Sequence, residues 1–157
     1  MSCGLALAVS LLLSDPAVAV AAAQPPVATA PASVASEPLF ADIIARSGGL
    51  KAMVDGWMTS GAADADGFVT SPDFTGFKAQ VVELAARDMQ GHLVLKERGT
   101  DGDLKCILRG ISEDMPIKLQ AVETATTKAA RDVALSELSY LLNDNVEVIT
   151  SPPQPEV

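Results

Sequence analysis

Between residues 37 and 150 the apolar side chains recur with the 3.6-residue period of a helix, and no other feature constrains the fold as tightly. Leu50, Met53, Val54, Trp57 and Met58 stand at i, i+3, i+4, i+7 and i+8. Phe74, Phe77, Val81, Leu84 and Ala85 repeat that spacing, and the pattern continues through Met89 and Leu95 to Arg98. Leu104, Ile107, Leu108 and Ile111 form another such face, and Ile117, Gln120, Ala121 and Thr124 a weaker one. Ala130, Val133, Ala134, Leu138, Leu141 and Leu142 carry the last stripe.

Capping residues and breakers divide this pattern. Ser36 with Pro38 opens a first short helix, and Gly48-Gly49 is expected to end it. Gly61 stops the next. Ser71-Pro72-Asp73 sets a cap, a proline and a first-turn carboxylate in sequence, and Gly99 stands where a left-handed C-terminal glycine belongs. Ser112 or Asp114, followed by Pro116, predicts a fresh start, and Thr126 or Thr127 caps the last helix. The expectation is an all-α fold, a small bundle of about five to six helices. An α+β alternative pairs His92–Arg98 with Leu104–Gly110 as a hairpin at 92–110, with Val146–Thr150 as a third strand.

The ends read differently. Residues 4–13 are an apolar run of signal-peptide length, too short for a bilayer span of about 20 residues. No Lys or Arg precedes it, and Ala21-Ala22-Ala23 supplies small residues for cleavage before Gln24. The organisation expected is a signal peptide at 1–23, a Pro/Ala-rich disordered linker at 24–36, a helical domain at 37–150 and a disordered tail at 151–157. The implied location is periplasmic or secreted, with no transmembrane segment in the mature form.

Charge and composition then exclude several functions. With 20 Asp and Glu against 11 Lys and Arg, the net charge of −9 repels phosphate backbones, so nucleic acid is not an expected partner. One His and two Cys exclude a His/Cys metal cage and a disulfide framework. His92 reads as a polar helix residue and Cys106 as a small buried hydrophobe. No nucleophile–base pair is nominated, so no catalytic residue is expected.

One stretch carries chemistry. Asp64-Ala65-Asp66-Gly67-Phe68-Val69-Thr70-Ser71-Pro72-Asp73-Phe74 is similar to the later part of an EF-hand calcium loop. With Gly67 at the turn position the loop runs from Ala62 to Asp73. The resemblance implies metal ligation by Asp64, Asp66, the Phe68 carbonyl, Thr70 and Asp73, between two helices. Ala62 stands where the family has its first carboxylate, and Asp73 where it has a longer Glu, so weak calcium binding is implied.

Two functions follow as expectations. The first is an exported, non-enzymatic protein-binding module of the cell envelope. Its docking surface would be an apolar patch around Trp57 or along Leu104–Ile111. The alternative is a weak calcium-binding module built on the loop at 62–73.

Overall fold

A computed structural model describes residues 33–100 and 102–152, and every regular element among them is helical. In chain order these are α1 (Pro38–Ser60), α2 (Pro72–Arg98), α3 (Gly102–Thr124) and α4 (Lys128–Thr150). Two single-turn 3-10 helices, Ala62–Asp64 and Phe68–Thr70, lie in the connection between α1 and α2. The expected signal peptide, most of the linker and the last five residues of the tail lie outside the described residues.

Several of the local signals act as their chemistry dictates. The Ser71 hydroxyl accepts from the Phe74 amide at 3.2 Å, with Pro72 and Asp73 in the first turn of α2. Gly99 closes that helix at φ 69°, its amide reaching the Leu95 and Lys96 carbonyls. Thr127 caps α4 by accepting from the Ala130 amide at 3.2 Å. At the start of α1 the cap position falls on Glu37, one residue beyond Ser36, with no side-chain cap bond.

The structure has four α-helices among its described residues, where the punctuation suggested five to six. Gly48 and Gly49 do not end α1, because Phe40, Ile43, Ser47, Leu50 and Val54 keep one buried face in phase across them. Pro116 lies inside α3 and does not open a new helix. Its missing N–H and ring cost about 3 kcal/mol in a helix interior. Burial of Leu108, Ile111, Met115, Leu119 and Val122 on both sides of it offsets that cost. The hairpin at 92–110 and the strand at 146–150 are also overturned, since these stretches fall within α2, α3 and α4 or the turn joining α2 to α3.

Each helix packs on its neighbours in the order α1–α2–α3–α4, and α4 returns to α1, closing a four-helix arrangement. The core is one cluster running through all four helices, with Phe40, Phe74, Phe77, Leu108, Met115 and Leu138 fully buried. Val34, within the stretch expected as linker, is 5% exposed and belongs to that cluster. Glu37 and Arg98 form a two-bond ion pair at 2.9 and 2.7 Å that joins the start of α1 to the end of α2. The Ser139 hydroxyl donates to Asp55 at 2.6 Å, joining α4 to α1. No described helix is long and apolar enough to cross a membrane.

Candidate functional site

The loop between α1 and α2 is shaped by two left-handed glycines, Gly61 at φ 74° and Gly67 at φ 77°. Gly67 makes the sharp turn and is followed at once by the Phe68–Thr70 helical turn. Of the ligands implied by the calcium-loop resemblance, Asp64 lies 2.8 Å from the Lys128 ammonium. The Phe68 carbonyl accepts from the Ser71 amide at 3.1 Å, and the Thr70 hydroxyl donates to the Gly67 carbonyl at 2.9 Å. Asp66 and Asp73 are exposed and line one small pocket of about 190 Å³ with Gly67 and Ser71. Among the described residues, no three His, Cys, Asp or Glu side chains gather closely enough to hold a metal ion.

Side chains from α4 hold this loop. Arg131 donates to the Ala63 carbonyl at 2.7 Å and lies 6.0 Å from the centre of the Phe68 ring. Phe68 is itself buried, edge-on to Trp57 at 5.1 Å, and Trp57 meets Phe77 edge-on at 4.9 Å. Trp57 is therefore part of an aromatic cluster joining α1, the loop and α2. Leu104, Leu108 and Ile111 are buried as well. Neither of the two expected docking patches is a free apolar surface.

The exposed apolar surface lies elsewhere. Six large hydrophobic side chains are exposed among the described residues, and three of them, Met58, Val133 and Tyr140, line grooves along α4. Val133, expected in the core, is 59% exposed, and Tyr140 is 68% exposed. The α4 stripe is rotated from its sequence reading: Ala134, Leu135, Leu138, Leu142 and Ile149 face inward. Tyr140 and Ser136 line shallow grooves on both flanks of α4, toward Met58 and Asp55 on α1 and toward Asp114 and Lys118 on α3. The second groove, of about 520 Å³, adjoins a third one through Glu137. That third groove has a wall of Ala121, Ala125, Ala129, Ala130 and Val133.

Carboxylates rim the same face. Glu137 pairs with Lys118 at 2.8 Å, and Asp114 lies one turn away on α3. Partial burial and the neighbouring Glu147 raise the Asp144 carboxyl above its usual range. Asp114, Glu137 and Asp144 thus line the α3-side groove with Lys118, while Lys51 on the α1 side is paired with Asp55 at 2.6 Å.

A polar layer crosses the core. The Asn145 amide on α4 donates to both Asp88 oxygens on α2 at 3.0 Å and to the Ser47 hydroxyl on α1 at 3.1 Å. All three side chains are fully buried, and the Asn145 carbonyl oxygen has no hydrogen-bond partner. Burial pushes the Asp88 carboxyl up to about 7, against the opposing effect of the Asn145 hydrogen bond. These residues are not among the sequence-based candidates, although two of them hold a core phase: Asp88 follows Val81 by seven and Leu84 by four, and Asn145 follows Leu138 by seven.

His92 lies on a helix as expected, though buried, and Cys106 departs from its expected burial. His92 is 9% exposed, and its Nδ1–H donates to the Lys105 carbonyl at 2.6 Å, fastening α2 to α3. Cys106 is a free, exposed thiol. Comparison with known proteins finds no family model, no curated protein and no solved structure that matches this chain.

Proposed function

We propose that this chain is a non-enzymatic protein-binding module of the cell envelope, exported by its apolar N-terminal segment, and that it docks its partner on the outer face of α4. The observation that carries this reading is that the exposed Met58, Val133 and Tyr140 line adjoining grooves along α4. Scattered exposed hydrophobes are ordinary, whereas a continuous patch flanked by polar groups marks an interaction surface. Tyr140 suits such a surface because its ring can bury much area with few rotatable bonds.

The test is photo-crosslinking in the cell envelope, with the reactive amino acid placed at Val133 or Tyr140 and, as controls, at Val82 or Leu93 on α2. A discrete adduct from the α4 positions and none from α2 is the expected result. Equal labelling from both faces removes the reading, and retention of a tagged copy in the cytosol removes the export part of it.

A second reading, weak calcium binding at 62–73, is favoured by one observation: Asp66 and Asp73 share a pocket with the left-handed Gly67. Asp64, Asp66, Thr70, Asp73 and the Phe68 carbonyl are its ligands, and the ion competes with Lys128 for Asp64. Affinity in the range of about 0.1–1 mM suits so few carboxylates. Trp57 fluorescence reports the titration. Lys128→Ala and Ala62→Asp are each expected to tighten binding, and no spectral change or heat at millimolar calcium in either variant removes the idea.

A further inference from the structure

Resting on the α4 docking surface proposed above, we infer that its partner presents a basic amphipathic helix, laid along the grooves between α4 and its two neighbours.

Three features specify this occupant. The first is form. The outward line Ala129, Val133, Ser136, Tyr140 and Glu147 follows helical spacing along α4, and its length of about 27 Å matches five turns of a partner helix. Small side chains dominate one end, at Ala121, Ala125, Ala129 and Ala130, so another backbone can approach closely there. Tyr140, on both flanking grooves, provides the large central contact. Such a surface takes the apolar stripe of a helix at i, i+3, i+4 and i+7.

The second feature is charge. Asp114, Glu137 and Asp144 line the α3-side groove with Lys118, which Glu137 already holds, and Glu147 stands near Asp144; on the α1 side Lys51 is held by Asp55. Lys or Arg flanking an apolar stripe supplies a counter-charge, speeds encounter and excludes acidic competitors.

The third feature separates this partner from a second copy of the chain. Two copies apposed through this face would bring two acidic rims together, and like charges across an interface disfavour association.

The test uses the full chain and two synthetic helices of about 18 residues, one of Leu and Lys and one of Leu and Glu with the same apolar stripe. Each is titrated by calorimetry at low and at physiological salt. The Leu/Lys helix is expected to bind one to one, at least about tenfold tighter than the Leu/Glu helix, and to weaken as salt screens the rim. Tyr140→Ala, and separately the triple variant Asp114→Asn, Asp144→Asn, Glu147→Gln, should each weaken it by about tenfold or more. A control triple variant away from the face, Glu83→Gln, Glu97→Gln, Asp103→Asn, should leave affinity within about twofold. All variants sit at exposed or half-buried positions, and circular dichroism verifies their fold.

Equal loss in both triple variants would mean diffuse attraction to an acidic protein and overturns the inference. Equal binding of the two helices overturns the basic partner while leaving a docking face that the photo-crosslinks can still support. Dimers crosslinked from Tyr140 to Tyr140 make the occupant a second copy and also overturn it. Absence of both helix binding and α4 crosslinks defeats this inference together with the proposal beneath it.

Discussion

Asp88 is a fully buried carboxyl whose hydrogen-bond partner is the neutral amide of Asn145. Removing a carboxylate from water without a cation favours the protonated form, which is why its pKa rises to about 7 from 3.8. The folded state therefore holds a proton that the unfolded chain releases near pH 4. The stability contributed by neutral Asp88 is complete below about pH 4, declines as pH rises toward 7 and levels off above it. A shift of that size is worth at most about 4 kcal/mol. We expect urea midpoints to fall between pH 5 and pH 8, and Asp88→Asn to flatten the profile and raise stability at pH 8. The unpartnered Asn145 oxygen makes that substitution favourable, since after an amide flip it can accept from the new side chain. A variant with the same pH profile as the parent would show that Asp88 is not the titrating group. Position 88 is polar on an otherwise apolar phase, a signal present in the sequence; that Ser47 and Asn145 meet it lay beyond reach, since the three come from positions 47, 88 and 145.

Within α1 and α2 the same residue type has opposite consequences. A Cβ added at Gly48 or Gly49 meets nothing within 4 Å. Alanine there should stabilise α1 by about 0.5–1 kcal/mol per site. At Gly91 a Cβ would lie 3.2 Å from Leu108, 3.3 Å from Phe40 and 3.6 Å from Ile43, where α1, α2 and α3 converge. Gly91→Ala should therefore destabilise by about 1–3 kcal/mol, because a close-packed interior has no room to give. Thermal melts separate the cases, with a shift of about 4–8 °C for each kcal/mol in a domain of this size. Gly48-Gly49 reads locally as a helix end, and Pro116 as the first turn of a new helix. Both judgements were local, and the decisive quantity was the apolar face that each helix buries on either side of its breaker.

The four helices share one core cluster, so they should unfold together. Trp57 fluorescence reports the aromatic cluster at the α1–loop–α2 corner, while far-ultraviolet circular dichroism reports all four helices. Coincident urea transitions by the two probes are expected, and separated midpoints would mean that the corner melts independently. The helical class, the caps at Ser71 and Thr127 and the stop at Gly99 were legible in the sequence. These depend on residues a few positions apart, where spacing and side-chain chemistry suffice. How many helices form, which side of α4 faces solvent, and the meeting of Lys128 with Asp64 were settled by packing. Those outcomes turn on helices far apart in the chain competing to bury their surfaces. A rotation of the α4 stripe that leaves its period unchanged moves Val133 from core to surface, and with it the place where a partner can bind.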